Sequence, residues 1–295
     1  MIHRRHFLLG ASALAGSSLL PRMGHAEAGI AADKIVFGEA AALDGPAGAL
    51  GSGMKAGISA AFAEVNASGG VAGRKLELIA RDDGYEPTKA IEATKGLIAD
   101  GVFALIGPVG TPTTMATLPL VNEAGIPLIG PFTGSEGLRN PYQPLVVNVR
   151  ASYFQETEVM VERLTKDRSF TKIGILYQDD AFGQAGLAGV RRAMDKRSMK
   201  LVGEATFERN TVAVRGALLE LRKAEPQAVI LIGPYKPCAE FIKLARQIKF
   251  AATFVNISFV GSDALAQELG PAGADVLVTQ VVPFPDDQSW TQLTK

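Results

Sequence analysis

The sequence contains almost no cysteine and almost no histidine. Its 295 residues include one cysteine, Cys238, and three histidines, His3, His6 and His25. A single cysteine excludes an internal disulfide framework and any cysteine-cluster metal site. Beyond His25 the chain lacks the commonest general base and the commonest transition-metal ligand. Ser-His-Asp and Cys-His catalysis are therefore excluded in that part of the chain.

A charge bias and a long apolar run are also missing. The chain has 30 basic and 30 acidic residues, so electrostatic recognition of nucleic acid is not expected. No apolar run reaches the ~20 residues of a membrane-spanning helix. The HExxH, GxSxG, Walker A and EF-hand spacings are absent, and we expect no metal, no cofactor and no enzymatic activity. Hydrophobic residues make up 47% of the sequence, which is enough for a complete core.

The first 26 residues are typical of an export signal. Arginines at positions 4 and 5 precede an apolar run of 14 residues over 7–20, the length of a signal core. Cleavage is expected after Ala26 or Ala28. The paired arginines resemble a twin-arginine signal, and an ordinary secretory signal is the alternative. We therefore expect a periplasmic protein whose mature chain keeps 27 basic and 30 acidic residues.

Strand-like and helix-like segments alternate along the rest of the chain. The strands are apolar almost throughout, which predicts parallel sheets covered by helices on both faces. The predicted strands are Lys34–Ala40, Lys75–Arg81, Phe103–Ile106, Pro127–Ile129, Leu145–Val149, Lys172–Tyr177, Lys200–Phe207, Ala228–Ile232, Thr253–Ile257 and Val276–Val281. The predicted helices are Gly48–Asn66, Pro87–Asp100, Pro112–Glu123, Tyr153–Lys166, Phe182–Lys196, Val212–Ala224, Pro237–Ile248 and Ser262–Leu269.

Ten strands are too many for one ordinary open sheet in a chain of this length. We expect two α/β lobes that meet near 149–152 without a flexible linker. One lobe is predicted over 33–150 together with 282–295, and the other over 151–281. A cleft between two such lobes is a favoured place for a small ligand.

Two loops of the first lobe are candidates for binding an anion. In Gly107–Thr114, Thr111 is predicted as a helix N-cap before Pro112, and the free N–H groups of the next turn suit a carboxylate or phosphate. Gly130–Glu136 repeats the pattern of small polar residues before a helix. Neighbouring strands would bring both loops to one anionic group, whereas the alternative interpretation is helix capping without a ligand.

Three loops of the second lobe each carry an aromatic side chain and a polar group. They follow predicted strands, at the strand ends where ligands bind in parallel sheets. Aromatic walls with a few fixed polar groups are typical of a small-molecule pocket, and plain packing is the alternative. The loops are Gln178–Gly183, Gly233–Pro237 and Ser258–Gly261.

In combination, these segments resemble the solute-binding proteins of ABC transporters of the branched-chain amino acid (Leu/Ile/Val-binding) type. The resemblance covers nearly all of the chain beyond the signal, from Ile35 to about Val282, and no single motif would suffice. The matching segments are Leu43–Pro46, Val65–Arg74, Asp82–Pro87, Ile106–Pro108, Gly125–Leu128, Asp180–Gly183 and Gly273–Thr279.

The resemblance implies a type I periplasmic binding fold. Two Rossmann-like lobes would be joined by a hinge and would close on one small carboxylate or amino acid. A membrane permease is the implied partner, and the protein is expected to be a monomer. A ligand-sensing domain and a binder of aromatic or aliphatic carboxylic acids without an amino group are the alternatives. The C-terminus is shorter than in the family, so the chain looks truncated.

The resemblance also assigns ligand contacts. Thr111 and the loop Phe132–Gly134 would hold the ligand carboxylate, and Leu50 would lie over the ligand. Ser258 stands where amino-acid binders of the family place an acid for the ammonium group, so Asp179 or Asp180 would have to replace that acid. The candidate ligand-binding residues are Leu50, Thr111, Phe132, Thr133, Gly134, Tyr153, Asp180, Phe182, Tyr235 and Ser258. The family's first-lobe disulfide is missing, with Tyr85 and Gly110 at its two positions.

Overall fold

The computed structural model describes residues 28–282. Ten parallel strands form two separate five-stranded sheets in this part of the chain. The predicted signal over 1–26 and the segment 283–295 lie outside the described residues. The predicted fold class, two parallel-sheet α/β lobes, is confirmed.

The first sheet has the strand order β2-β1-β3-β4-β5. We call this sheet and its helices the first lobe. Its strands are β1 (Lys34–Ala41), β2 (Lys75–Asp82), β3 (Ala104–Ile106), β4 (Leu128–Ile129) and β5 (Val146–Val147). Its helices are α1 (Gly48–Ala67), α2 (Pro87–Ala99) and α3 (Thr111–Ala124).

The second sheet has the strand order β10-β9-β8-β6-β7, and with its helices it forms the second lobe. Its strands are β6 (Ile173–Gln178), β7 (Gly203–Phe207), β8 (Ala228–Ile232), β9 (Thr253–Asn256) and β10 (Leu277–Val278). Its helices are α4 (Tyr153–Glu162), α5 (Ala181–Asp195), α6 (Arg215–Lys223), α7 (Tyr235–Gln247) and α8 (Ser262–Leu269).

The strand sequences explain why the sheets are parallel and buried. All five residues of β8, Ala-Val-Ile-Leu-Ile, are buried, as expected for a central strand with helices on both faces. Each helix begins a few residues after a strand. Residues at or just beyond the ends of strands β2, β4, β6, β8 and β9 contact the opposite lobe, so these strand ends face the region between the lobes. No helix within 28–282 combines the length and apolar character needed to cross a membrane.

Every predicted strand and helix is present, with differences at the ends. Helix α6 was predicted from Val212 but begins at Arg215, because Val212 and Val214 form a turn through their backbone. Helix α4 was predicted to Lys166, but it ends at Glu162 and continues as a π-helical turn over Arg163–Asp167. The exact lobe boundaries stay a prediction.

Two acidic side chains are buried in the first lobe, and neither forms an ion pair with a residue that the structure describes. Glu39, on β1, is 0% exposed, and neither of its carboxylate oxygens has a hydrogen-bond partner among the described residues. Asp83 follows β2 and accepts a hydrogen bond from the Tyr85 backbone N–H at 2.8 Å. Loss of water raises the pKa of each carboxyl to about 7. Both groups therefore hold a proton more tightly in the folded than in the unfolded chain.

We predict that stability falls as pH rises from about 4 to about 7. In this range the unfolded chain releases the protons of Glu39 and Asp83, whereas the folded chain keeps them. Glu39→Gln should flatten this dependence, because an amide does not ionise. The measurement is the midpoint of thermal unfolding at pH 5, 6 and 8. Glu64→Gln on the exposed face of α1 is the control, and an equal decline in both variants would contradict the assignment to Glu39.

Candidate ligand-binding cleft

The two candidate loops of the first lobe meet at the ends of neighbouring strands. Strands β3 and β4 pair in parallel, and beyond them Val109 and Phe132 form a further bridge. This pairing brings the hydroxyl oxygens of Thr111 and Thr133 within 2.6 Å of each other. Both side chains are buried, so the two loops form one polar spot at the interface of the lobes.

Thr111 does not cap helix α3, and that prediction was wrong by one residue. Gly110 is the N-cap, with a positive φ of 103°, and Thr111 is the first helical residue. The Gly110 carbonyl accepts the backbone N–H of Thr114 at 3.1 Å. The Thr111 hydroxyl is therefore not used for capping and bonds to Thr133 instead.

The ring of Tyr85 also requires a glycine at position 110. A Cβ on Gly110 would lie 2.2 Å from Cε2 of the Tyr85 ring, so no larger residue fits. Tyr85 is fully buried, and burial raises the pKa of its phenol well above the usual value. Its hydroxyl accepts a hydrogen bond from Nε2 of Gln178 in the second lobe at 3.2 Å. A tyrosine thus links the lobes from the position where the resemblance implies a half-cystine.

Both carboxylate oxygens of Asp180, in the second lobe, accept hydrogen bonds from other groups of the protein. Its Oδ1 caps helix α5 by accepting from the N–H groups of Phe182 at 2.9 Å and Gly183 at 3.4 Å. Its Oδ2 accepts from Gln178 at 2.6 Å and from Arg209 at 3.2 Å. Asp180 is therefore the N-cap of helix α5, and its carboxylate already accepts from four donors of the protein.

Phe259 is the centre of an aromatic cluster that joins the lobes. Its ring centroid lies 4.5 Å from that of Phe182 in its own lobe. It lies 5.2 Å from Phe132 and 6.1 Å from Tyr85, both in the first lobe. Tyr153 extends the cluster, with its ring 5.5 Å from Phe182. The sequence predicted the loop that contains Phe259 as a candidate but did not single out this residue. The local sequence does not show that a side chain reaches the opposite lobe.

Leu50 and Tyr235 also lie where the two lobes touch. Leu50 is buried, and its Cδ2 is 2.5 Å from the place that a Cβ on Gly261 would occupy. The Tyr235 hydroxyl accepts the backbone N–H of Ala49 at 3.3 Å. Gly134 borders the same region, since its carbonyl accepts the N–H of Tyr153 at 2.7 Å.

Charged groups hold the lobes together at one edge of the cleft. Arg209 of the second lobe contacts Glu86 of the first lobe at 2.8 Å and Asp180 of its own lobe at 3.2 Å. Asn210 donates to Oε1 of Glu86 at 2.6 Å and to the Gly84 carbonyl at 3.0 Å. The three contacts with the first lobe span 123 to 126 positions of sequence. They describe a closed arrangement in which an arginine bridges one acid from each lobe.

A second arginine in the cleft has no acidic partner within the described part of the chain. Arg150 is 8% exposed, and its guanidinium carbon lies 4.6 Å from the centroid of the Phe132 ring. One terminal nitrogen donates to the hydroxyl of Ser258. The other terminal nitrogen and Nε have no partner among the described residues, and neither has the buried hydroxyl of Tyr153. The predicted residues Tyr153, Phe132 and Ser258 therefore surround an arginine that sequence reasoning did not select.

Two parallel-sheet lobes that close over a buried, mixed aromatic and polar cleft define a class of two-lobed binding proteins. A sequence profile of the periplasmic binding protein family matches residues 34–292. The chain belongs to this family.

Relatives of known sequence or structure agree with this assignment. The chain is 28% identical over 247 residues to the Leu/Ile/Val-binding protein BraC3 of Rhizobium johnstonii, with 82% of this chain and 65% of that protein covered. A possible leucine/isoleucine/valine-binding protein from Rhodopirellula baltica is 36% identical, with a TM-score of 0.83 over 89% of this chain and 72% of that one. A substrate-binding periplasmic protein from Ralstonia solanacearum is 29% identical, with a TM-score of 0.82 over 85% and 72%.

These findings confirm the predicted resemblance to the Leu/Ile/Val-binding type and the type I periplasmic binding fold. The relatives are named as binding proteins, not as enzymes. The chain spans about two thirds of the length of BraC3 and somewhat more of the two solved chains. The ten candidate ligand contacts lie in or beside the interface of the lobes, and their roles in binding stay predictions.

We predict that Arg209→Gln opens the two lobes. The bridge is half-buried, so its loss should destabilise the closed form by about 1–2 kcal/mol. The radius of gyration from small-angle X-ray scattering should increase. Arg191→Gln is the control, because Arg191 pairs with Glu204 at 2.7 Å within the second lobe. Equal radii for both variants and the unchanged protein would mean that Arg209 does not hold the lobes closed.

Proposed function

We propose that this chain is the extracytoplasmic solute-binding component of an ABC transporter. In this proposal it binds one small carboxylate-bearing solute by closing its lobes, and it hands the solute to a membrane permease without chemical change. The family is periplasmic by its description, which agrees with the export signal predicted over residues 1–26.

The observation that carries the proposal is the pair of buried hydroxyls at the cleft. Thr111 and Thr133 share one hydrogen bond of 2.6 Å, so at least one hydroxyl hydrogen remains able to bond to another acceptor. Thr111 also begins helix α3, whose first N–H groups carry a partial positive charge. Hydroxyl donors together with a helix N-terminus suit a carboxylate.

The names of the relatives favour a branched-chain amino acid as the solute. BraC3 is named for Leu, Ile and Val, and the buried rings of Phe259, Phe182 and Tyr153 suit an aliphatic side chain. A carboxylic acid without an amino group is the second candidate. It is favoured by Ser258, which offers a hydroxyl and no charge, and by the four donors that already engage Asp180.

We predict that Thr111→Val weakens solute binding by about 1–3 kcal/mol, because a charged acceptor loses a buried donor. Thr111→Ser should have little effect, since it keeps the hydroxyl. The measurement is isothermal titration calorimetry with leucine, 4-methylpentanoate and benzoate.

The matched control is Thr117→Val, another buried threonine of helix α3, whose hydroxyl bonds to the Thr114 carbonyl at 3.1 Å. Equal affinities for Thr111→Val and the unchanged protein would reduce this hydroxyl to a packing role. If the unchanged protein binds none of the three acids, the proposed function itself is contradicted.

A further inference from the structure

We infer that Arg150 binds the carboxylate of the solute and that it selects a carboxylic acid without an ammonium group. This inference rests on the proposed function and narrows its class of solute. The structural observation is a buried guanidinium at the interface of the lobes that no carboxylate of residues 28–282 neutralises.

Arg150 belongs to the segment that crosses from one lobe to the other. It lies three residues after β5 and three before the start of α4. Its side chain touches both lobes, since it stacks on Phe132 of the first and donates to Ser258 of the second. A charged group at this place would contact both lobes when the cleft closes.

The charge of Arg150 is not balanced by any acid of residues 28–282. None of the ion pairs found among residues 28–282 within 4.0 Å includes Arg150. Two of its three nitrogens lack any acceptor in that part of the chain, although more than nine tenths of the residue is buried. Burying an unpaired guanidinium is unfavourable, and its planar fork matches the two oxygens of a carboxylate.

The neighbours of Arg150 do not offer a site for an ammonium group. Ser258 and Tyr153 are neutral, and the phenol of Tyr153 stays protonated because burial raises its pKa. Arg139 adds a second cation to this region, since it donates to the Arg150 carbonyl at 3.0 Å. An ammonium group here would meet a guanidinium, which repels it.

Among the described residues, Glu156 is the buried acid that contacts Ser258. Its hydrogen bonds are made within the second lobe. Its Oε1 accepts the backbone N–H of Ser258 at 2.6 Å and the hydroxyl of Thr279. Glu156 also lines a cavity of ≈ 370 Å³ between helix α4 and the end of β10, to which no strand or helix of the first lobe contributes. It therefore supports the Ser258 turn from inside the second lobe. Since its Oε2 has no hydrogen-bond partner among residues 28–282, Glu156 is the competing candidate for binding an ammonium group, and the experiment must distinguish the two.

The test is calorimetry on the full chain with two acids of one carbon skeleton, leucine and 4-methylpentanoate, and with benzoate as a ring acid. The unchanged protein should bind an amine-free acid at least about 10-fold more tightly than leucine, because the ammonium group of leucine has no anionic partner. Arg150→Gln should weaken binding of that acid by about 100-fold. Arg150→Lys should recover part of the loss, since it keeps the charge without the fork.

Two controls keep the result specific. Arg192→Gln removes an arginine that stacks on Phe154 at 4.9 Å on the outside of the second lobe, and it should leave binding unchanged. Glu156→Gln should change the affinities for 4-methylpentanoate and benzoate by less than about 3-fold, because the neutral amide keeps an acceptor for Ser258.

Three outcomes would overturn the inference. Equal affinity of the unchanged protein and Arg150→Gln would make this arginine a structural bridge between the lobes while the proposed function stands. Tighter binding of leucine than of both amine-free acids, lost in Glu156→Gln, would assign the ammonium group to Glu156. No binding of any of the three acids would contradict the proposed function, and this inference with it.

Discussion

Neutralisation of positive charge between the two sheets is the constraint on which this structure depends. Arg209 and Arg150 both lie where the lobes meet, but their surroundings differ. Arg209 is neutralised by an acid from each lobe, Glu86 and Asp180, so it needs no anion from outside the protein. Arg150 contacts a ring and a hydroxyl, and it pairs with no acid among the residues that the structure describes. Arg209 therefore stabilises the closed form. Arg150, in our proposal, makes closure depend on an anionic solute.

The topology brings these groups together. All strands within each sheet are parallel, so the loops that follow them collect at one edge, and the two edges face each other. Phe259 comes from the loop after β9, Phe132 from the loop after β4, and Phe182 from the first turn of helix α5, which follows β6. Their rings form one contact across the interface. A cleft built in this way opens when the lobes separate and requires no change within either sheet.

Local patterns in the sequence predict the elements and the general place of the site, but not its long-range partners. The apolar run of β8 and the Ser262–Leu269 helix have the bounds that were predicted. The loops of Thr111 and Thr133 were selected because they follow neighbouring strands, and the resemblance assigned both residues to the ligand carboxylate; the two hydroxyls do meet. Arg150 was missed, although a single charge between an apolar strand and a helix start was a usable signal. Phe259, Gln178 and Arg209 act on residues more than 90 positions away, and no periodicity encodes such a contact.

The central claim is that the lobes close on an anionic solute, and single-molecule fluorescence energy transfer tests it most directly. Donor and acceptor dyes can be attached through Lys95→Cys on α2 and Lys223→Cys on α6, both exposed. The native Cys238 is fully buried, and burial raises the pKa of its thiol, so it should stay unlabelled. A carboxylic acid that calorimetry shows to bind should change the distribution of transfer efficiencies to one narrow closed population. An identical distribution with and without that acid would contradict the claim.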